Sequence, residues 1–242
     1  MSDEGRTPPL RRIRSFAGPR SRLTEGQKRA WDQWWREWGH EVSELVSGAE
    51  KYDPVRWFGR SAPLVLEIGP GDGTATAEMA AAAPEVDHLA VDVFEPGLAR
   101  LILLIRERGL TNLRLVRGDA VDLLREVVPE ESLAGIRIYF PDPWPKRRHH
   151  KRRLIQPPFV ALAASRLQPG GVLHLATDWA DYAQQMRAVC DAEPRLEPTG
   201  DRTADGWWVR PSWRPVTKFE RRAHQEGRDV HDLLYRRVRT PQ

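Results

Sequence analysis

The sequence contains a single cysteine, Cys190, among its 242 residues. One thiol excludes an internal disulfide and any metal cluster held by several cysteines. No run of about 18 apolar residues occurs, so no transmembrane helix is predicted. The first residues include arginines but no apolar segment of the kind that directs secretion, and we therefore expect a cytoplasmic protein. The length suits one large α/β domain or two small ones.

Basic residues are concentrated in three parts of the chain. Residues 1–30 hold eight Arg or Lys against three acids, residues 146–153 hold six against none, and residues 200–242 hold ten against six. Because the whole chain carries only +4, the remaining residues have a net charge of −11. An acidic body with basic segments indicates a phosphate backbone as partner. For any one segment alone, a solvated arginine-rich surface is an equally good explanation.

The first 50 residues divide into two parts. Residues 1–23 are basic, interrupted by proline and glycine, and without periodicity, which predicts a flexible arm. Residues 24–50 begin with the spacing of a helix capping box, and tryptophans then recur at helical spacing at Trp31, Trp34, Trp35 and Trp38. We predict one tryptophan-rich helix over 24–50. Its stripe is either a platform for stacking bases or, more commonly, a face packed on the domain edge.

From Pro63 onward, predicted strands and helices alternate. The strands are Leu64–Ile68, His88–Val93, Leu113–Arg117, Ile136–Phe140, Val172–Ala176 and Val230–Val238. The helices are Thr74–Ala83, Pro96–Arg108, Val121–Val128, Leu154–Leu167, Asp181–Ala192 and Phe219–Gln225. This alternation predicts a single α/β domain over 24–242, in which a parallel sheet is covered on both faces and binds ligands at the carboxyl ends of its strands.

A glycine-rich turn follows the first of these strands. It reads Gly69-Pro-Gly71-Asp-Gly73, and alternate glycines allow a tight turn that a ligand can approach closely. Thr74 stands where a dinucleotide fingerprint would have its third glycine, which argues against an NAD-dependent oxidoreductase. No Lys-Ser/Thr pair follows, so a phosphate-binding P-loop is also excluded. The turn fits a ligand without a pyrophosphate.

Acidic residues lie in or at the ends of the first three strands. Glu67 would face the positive end of a zwitterionic amino acid, and Asp92 can accept both hydroxyls of a ribose. Asp119 can reach an adenine amino group, although a strand-end aspartate often only caps the next helix. Acids without a basic partner for a phosphate suit an adenosyl group that carries a cationic sulfonium. S-adenosylmethionine is therefore the predicted cofactor.

The fourth strand runs into a rigid acidic and aromatic corner, Phe140–Pro145, in which prolines flank Asp142. Trp144 offers a face for a flat base, and Asp142 can accept hydrogen bonds from the amino edge of a guanine. Guanine N7 already carries a lone pair and becomes positive when methylated, so a nearby carboxylate helps without removing a proton. Methyl transfer is an in-line displacement, to which an enzyme contributes mainly alignment. The six cations of Lys146–Arg153 follow directly and are suited to bind RNA phosphates.

The motifs of this chain resemble those of the bacterial tRNA (guanine-N7-)-methyltransferases. The resemblance begins with I-R-S-F at Ile13–Phe16 and R-L-T-x-G-Q at Arg22–Gln27, and includes L-E-I-G-x-G-x-G around the glycine turn. It is closest at F-P-D-P-W-P-K-x-R-H-x-K-R-R, Phe140–Arg153, and resumes at T-D-W, T-K-F-E and G-x-x-V-x-D-L. The family implies a Rossmann-like S-adenosylmethionine-dependent methyltransferase fold with a mostly parallel seven-stranded sheet, and methylation of a guanine in the tRNA variable loop.

The resemblance also implies residue roles. The residues expected to bind the cofactor are Glu67, Gly69, Gly71, Gly73, Asp92, Asp119 and Asp142, and Asp142 is also the expected catalytic residue. The residues expected to contact the tRNA substrate are Lys146, Arg148, His149, His150, Lys151, Arg152, Arg153, Asp178, Thr217, Lys218, Phe219 and Glu220. Two positions depart from the family pattern: Asp92 replaces a common glutamate, and Ala223 replaces a usual glycine. No metal site is expected, because no cysteine or acid cluster accompanies the histidines of the basic segment.

Three other functions fit these residues less well than guanine-N7 methylation of tRNA. An exocyclic amino methyltransferase has a [DN]-P-P-[FY] corner at the same strand end, but Trp144 takes the place of its second proline. Pyrimidine C5 methylation needs a thiol nucleophile, and Cys190 falls in a predicted helix. A non-catalytic RNA-binding protein on a decayed methyltransferase fold is disfavoured because the acids of the site are intact.

Overall fold

A computed structural model of the chain describes residues 22–239. The flexible arm predicted for residues 1–23 therefore lies, apart from its last two residues, outside the described part. Eight strands form one sheet: β1 (Gly39–Glu41), β2 (Leu64–Ile68), β3 (Asp87–Asp92), β4 (Leu113–Arg117), β5 (Leu133–Tyr139), β6 (Leu167–Thr177), β7 (Leu196–Pro198) and β8 (His231–Arg237). Across residues 22–239 no helix is long and apolar enough to cross a membrane.

The α-helices cover both faces of this sheet. They are α1 (Glu25–Trp38), α2 (Val42–Ser47), α3 (Pro54–Phe58), α4 (Thr74–Ala82), α5 (Glu95–Arg108), α6 (Ala120–Asp122), α7 (Pro157–Arg166), α8 (Ala180–Asp191) and α9 (Lys218–Gln225). A π-helical turn, Leu123–Val127, continues α6, and a 3₁₀ helix, Arg147–Arg152, lies before α7. The α/β alternation predicted from the sequence is confirmed, with most boundaries shifted by one to three residues.

The strand order is β1-β4-β3-β2-β5-β6-β8-β7. All pairings from β1 to β6 are parallel, whereas β8 runs antiparallel to both β6 and β7. The strand order reverses between β2 and β5, and ligands of open α/β sheets bind at such a switch point. The first strands are buried on both faces, as expected for a sheet covered on both sides: every residue of β2 is buried. Over residues 22–239 the sheet has eight strands rather than the predicted seven.

The tryptophan-rich helix predicted over 24–50 is interrupted in the structure. α1 ends at Trp38, and Gly39 adopts an extended conformation that starts β1. A Cβ atom at Gly39 would lie 2.3 Å from the Trp35 ring, so only glycine fits beneath that indole. β1 then pairs with β4 before α2 begins at Val42. Tertiary strand pairing thus overrides a helical periodicity that continues through the sequence.

The tryptophans of α1 serve packing. Trp31 stacks on Trp35 with ring centroids 3.9 Å apart, and Arg106 of α5 lies 4.1 Å above the Trp34 ring. All four indoles contact the hydrophobic cluster formed by α5, β4 and neighbouring residues. The interpretation of this stripe as a packed domain edge is confirmed.

Candidate active site at the carboxyl edge of the sheet

The glycine turn after β2 is built from left-handed backbone. Gly69, Gly71 and Gly73 have φ values of 75°, 63° and 75°, which side chains other than glycine adopt only with strain. A Cβ atom at Gly69 would meet nothing within 4 Å, so this backbone faces open space where a ligand can approach. A Cβ atom at Gly73 would instead lie 2.2 Å from Leu101 of α5. This glycine therefore allows α5 to pack closely. Gly73 lines neither of the cavities described below, and the cofactor contact expected for it stays a prediction.

Two adjoining cavities surround this turn. The larger, of about 240 Å³, is lined by residues from the ends of β2, β3 and β5, among them Gly69, Asp92, Asp142 and Trp144. The smaller, of about 70 Å³, includes Glu67, Gly69, Gly71 and Thr217–Phe219 in its lining. Gly69, Tyr139 and Phe140 line both cavities. The structure thus brings together the predicted cofactor residues Glu67, Gly69, Gly71, Asp92 and Asp142 around one turn.

Glu67 is an acid buried without a counter-charge in contact. Its side chain is 6% exposed, and its Oε2 atom accepts no hydrogen bond from any residue in 22–239. Burial raises the pKa of this carboxyl to about 7, while the positive charge of Arg137 opposes the rise. An unsatisfied buried carboxylate oxygen in a cavity wall is complementary to a cationic amino group. The residue therefore fits the amino acid end of S-adenosylmethionine.

We predict that Glu67→Gln affects stability and cofactor binding in opposite directions. The folded pKa of about 7 exceeds the ordinary 4.5, so the folded state binds the proton more tightly than the unfolded chain. The free energy of unfolding therefore falls as pH rises between these values, by up to about 3 kcal/mol. The glutamine variant lacks this penalty, so above pH 7 it should be the more stable protein in denaturant titrations without cofactor.

The same Glu67→Gln variant should bind S-adenosylmethionine at least roughly 10-fold more weakly in calorimetry, because it loses a charge-assisted hydrogen bond. Glu85→Gln, at an exposed glutamate outside both cavities, is the matched control and should change neither quantity. Equal stability of variant and wild type on both sides of neutral pH would contradict the assignment of an uncompensated carboxylate.

Asp92 and Asp119 occupy different surroundings. Asp92 lines the larger cavity, its Oδ1 atom accepts a hydrogen bond from the Phe94 backbone at 2.9 Å, and burial raises its pKa. Asp119 accepts from the Val121 backbone at 2.8 Å and caps α6. It lines an open groove of about 570 Å³ that meets the larger cavity at Val93 and Gly118. Asp119 thus lies beside the larger cavity and caps α6, which is the alternative role that the sequence indicated for a strand-end aspartate.

The reactive corner contains two strained residues. Phe140 and Trp144 have positive φ values of 52° and 45°, a conformation that costs on the order of 1–3 kcal/mol for such residues and often occurs at functional sites. The Phe140 ring stacks on Phe219 at 6.0 Å between centroids. Between the two strained positions, Asp142 is exposed at the cavity wall, and partial desolvation raises the pKa of its carboxyl. The corner therefore holds one carboxylate and one indole at the mouth of the cofactor cavity.

The basic segment forms a 3₁₀ helix next to this corner. Lys146, Arg148 and Lys151 are exposed, while His149 and His150 are half-buried. Arg152 lines the larger cavity and lies 5.0 Å above the Trp144 ring. Residues three apart in a 3₁₀ helix lie on the same side, so the exposed Arg148 and Lys151 share one positively charged face beside the cavity. Within residues 22–239, no cluster of three or more potential metal ligands occurs.

Arg153 does not belong to this surface. It is 1% exposed, and its guanidinium donates to the Pro143 carbonyl at 2.8 Å, to Gln185 at 2.7 Å and to Asp181 at 2.6 Å. The predicted phosphate contact of Arg153 is therefore corrected, because the charge is committed inside the protein. By bonding to Pro143, Arg153 fixes the reactive corner against α8. Sequence reasoning could not separate it from its exposed neighbours, since the run of cations is continuous.

The remaining predicted substrate residues divide between the cavity and the interior. The smaller cavity is lined by Thr217, Lys218 and Phe219. The Nζ atom of Lys218 lies 3.1 Å from Oδ2 of Asp72 in the glycine turn. Asp178 accepts hydrogen bonds from Arg228 at 2.9 Å, which ties β6 to the loop before β8. Glu220 is 3% exposed and accepts from Arg214 at 2.5 Å, so its predicted substrate contact is corrected to a structural one.

A buried network that includes Glu220 supports the site from behind. Arg214 is fully buried and donates from Nε and Nη2 to Asp232 at 2.7 and 2.8 Å. Asp232 also contacts His174, whose other ring nitrogen lies 2.9 Å from the Tyr139 hydroxyl. Burial opposes the charge of Arg214, but the hydrogen bonds to Asp232 and Glu220 outweigh it and raise its pKa.

This network joins α9, β8, β6 and β5, and Tyr139 lines both cavities. The sequence does not reveal this network as a unit. Its signals are the positions of Glu220 in the T-K-F-E motif and Asp232 in the G-x-x-V-x-D-L motif.

Known proteins resemble this chain in sequence and in fold. The sequence profile of a family described as a putative methyltransferase matches residues 61–233. The chain is 51% identical to a tRNA (guanine-N(7)-)-methyltransferase of Streptomyces avermitilis, over 94% of this chain and 76% of that protein. It is 50% identical to the protein of the same name from Halorhodospira halophila, over 93% of this chain and 95% of that protein.

Among solved structures, the 16S rRNA methyltransferase KamB matches with a TM-score of 0.57 at 16% identity, over 78% of this chain and 95% of that chain. A 16S rRNA (adenine(1408)-N(1))-methyltransferase from Catenulisporales acidiphilia, solved with S-adenosylmethionine, matches with a TM-score of 0.51 at 17% identity, over 80% of this chain and 96% of that chain. At such identities these structures support the fold alone, and the Rossmann-like methyltransferase fold is confirmed. The two sequence relatives cover nearly the whole domain, and the chain belongs to the tRNA (guanine-N(7)-)-methyltransferase family.

Proposed function

We propose that this protein transfers the methyl group of S-adenosylmethionine to N7 of a guanine in the variable loop of tRNA. One observation carries the proposal: the cavity that contains Asp142 and Trp144 adjoins both the unsatisfied carboxylate of Glu67 and an exposed basic 3₁₀ helix. A cofactor with a cationic amino group, a flat base and a phosphate backbone each have a complementary surface there. Because tRNA is the substrate, we also propose a cytoplasmic location.

The residues of the site suit a reaction without proton removal. When bound, S-adenosylmethionine supplies an electrophilic methyl group on a sulfonium. Glu67 would hold the amino group of bound S-adenosylmethionine and Asp92 its ribose, while Trp144 would support the plane of the guanine. Asp142 would accept hydrogen bonds from the guanine edge and orient N7 towards the methyl donor. Methylation makes the base positive, and the Asp142 carboxylate would stabilise that charge.

The alternative chemistries require groups that this site does not offer. Methylation at a pyrimidine C5 needs a thiolate beside the cofactor, whereas Cys190 is buried in α8 and burial raises the pKa of its thiol. An exocyclic amino group must lose a proton as it is methylated. The [DN]-P-P-[FY] corner of those enzymes has a second proline where Trp144 stands here.

The function is tested by incubating the protein with labelled S-adenosylmethionine and unmodified tRNA, followed by borohydride and aniline cleavage. We expect strand scission at one guanosine of the variable loop, because N7 methylation makes that nucleoside sensitive to this treatment. Label in adenosine or cytidine without cleavage would support the exocyclic amino methyltransferase. Binding of tRNA without any transfer would support an RNA-binding protein on the same fold.

We predict that Arg148→Glu combined with Lys151→Glu weakens tRNA binding by roughly 10- to 100-fold at low salt. Both side chains are exposed on the basic 3₁₀ helix, so reversing their charge removes phosphate contacts and adds repulsion. The slope of log Kd against log salt concentration should fall by about 2. Fluorescence anisotropy with labelled tRNA over a salt series measures both quantities.

The matched control for that pair is Arg36→Glu with Arg108→Glu, which reverses two exposed charges near the C-termini of α1 and α5. α5 begins directly after β3, at the carboxyl edge of the sheet, and the start of α1 lies beside it, because Gln27 donates to the Pro96 carbonyl. Both helices therefore end at a distance from that edge. A salt slope that is unchanged in the Arg148 and Lys151 variant would show that the basic helix does not contact tRNA.

A further inference from the structure

A tight turn before α9 places the exposed side chain of Trp213 next to the buried side chain of Arg214. The Arg214 amide donates to the Pro211 carbonyl at 3.1 Å, which closes a four-residue turn with Trp213 at its third position. Arg214 is fully buried and held by Asp232 and Glu220, so the backbone next to Trp213 is fixed. The Trp213 side chain is nevertheless 52% exposed. The backbone that carries this indole is therefore held in place before any ligand binds, which lowers the entropic cost of binding.

The orientation of Trp213 leaves much of its ring available. Its nearest aromatic neighbour is His174 of β6, at 6.2 Å between centroids and with the ring planes at 78°. In such an edge-to-face contact, one ring meets its neighbour through an edge, so the contact does not cover both indole faces. A single exposed apolar side chain needs no explanation, whereas a group of them close in the chain and rimmed by polar residues often marks an interaction site.

Trp213 lines neither cavity but is linked to the candidate active site through His174, which lies 2.9 Å from the hydroxyl of Tyr139, a residue of both cavities. Val216 and Phe219 are 40% and 45% exposed, and both line the smaller cavity beside Glu67. Lys218 and Arg221 line the same cavity, so the exposed apolar groups are accompanied by positive charge. The surface formed by Trp213, Val216, Lys218, Phe219 and Arg221 is therefore both aromatic and cationic. It borders the cofactor cavities on the side of α9, whereas the basic 3₁₀ helix borders them at the reactive corner.

We propose that Trp213 stacks on an unpaired nucleotide of the tRNA substrate that flanks the target guanine. The inference rests on the proposed function and adds a positioning residue that none of the sequence motifs contains. Proteins that hold unpaired RNA combine cations for the backbone with aromatic faces for the bases. A protein partner fits this surface less well, because lysine is depleted from protein interfaces. Trp213 and the basic 3₁₀ helix would contact the RNA loop on opposite sides of the cavities. Together they restrict the orientation in which the target guanine can enter the active site.

The proposal is tested with Trp213→Ala, Trp213→Phe and the control Val209→Ala. Val209 is also exposed in the same loop, at 47%, but lines neither cavity. We expect Trp213→Ala to raise both the Kd and the KM for tRNA roughly 10-fold. Trp213→Phe should recover most of the lost tRNA affinity. In all three variants kcat, the Kd for S-adenosylmethionine and the thermal midpoint should stay at wild-type values, and Val209→Ala should also leave the Kd for tRNA unchanged. Because stacking releases no counterions, the salt slope should not change.

A second measurement follows Trp213 directly in the full-length protein labelled with 5-fluorotryptophan. The ¹⁹F resonance that is absent from Trp213→Phe should shift when tRNA is added and stay in place with S-adenosylmethionine alone. Unchanged tRNA affinity in Trp213→Ala, or an unshifted resonance in the tRNA complex, overturns the proposal. A lower oligomeric mass of Trp213→Ala in sedimentation overturns it in favour of a protein interface. If the wild-type protein binds tRNA but transfers no methyl group to N7, the proposed function fails instead.

Discussion

Replacing Asp142 by asparagine is expected to lower kcat for tRNA methylation by about 100- to 1000-fold. The side chain stands at the wall of the larger cavity between two residues with strained backbone, so its position is fixed by the fold. Asparagine keeps the shape but removes the negative charge that stabilises the methylated guanine, and it accepts fewer hydrogen bonds from the guanine edge. Single-turnover assays with saturating S-adenosylmethionine and tRNA measure the effect.

The pH dependence gives a second expectation for Asp142. Desolvation raises the pKa of this carboxyl above its ordinary value, and the ionised form is the active one. The rate of wild-type protein should therefore fall on the acid side, through a pKa higher than that of a free aspartate, and this limb should be missing from Asp142→Asn. Asp32→Asn, at an exposed aspartate of α1, is the control and should leave rate and profile unchanged. Full turnover by Asp142→Asn would remove the residue from the mechanism.

Replacing Arg214 by methionine is expected to lower the free energy of unfolding by about 3–5 kcal/mol. Arg214 is fully buried, and its loss leaves the carboxylates of Glu220 and Asp232 buried without their main partner. Two charges that remain in the interior cost more than the lost contacts alone. Urea titration monitored by circular dichroism measures the change, and the thermal midpoint should fall with it.

Two further variants separate this cost from ordinary loss of packing. Arg222→Met removes an arginine of α9 that is 73% exposed and should leave the unfolding midpoint unchanged. The triple variant with Arg214→Met, Glu220→Gln and Asp232→Asn should be more stable than Arg214→Met alone, because no unpaired charge remains buried. A triple variant that is less stable than the single one would contradict this account of the network.

The fold class and the chemistry of the glycine turn can be predicted from the sequence alone. Apolar runs that alternate with amphipathic segments are typical of a covered parallel sheet, and β2, β3 and β4 were predicted to within one residue of their bounds, whereas β5 and β6 begin about three and five residues before their predicted starts. The order of residues within the glycine turn and the reactive corner is local information. For that reason Glu67, Gly69, Asp92 and Asp142 could be assigned to one site before any contact was known.

Long-range packing decides which members of a local sequence pattern face the cavity and which are buried. Arg148 and Arg153 lie in the same cationic run, yet one is exposed and the other is bonded within the interior to Gln185 and Asp181 of α8. Burial depends on partners that are more than 25 residues away, and such partners leave no trace in local composition.

Contacts between residues that are distant in sequence also explain the interrupted tryptophan helix and the Arg214 network. β1 forms because β4 is beside it, and Arg214 is buried because Asp232 lies opposite. Sequence periodicity therefore predicts the elements and the chemistry of the site, while long-range contacts decide which of its charges bind substrate and which hold the protein together.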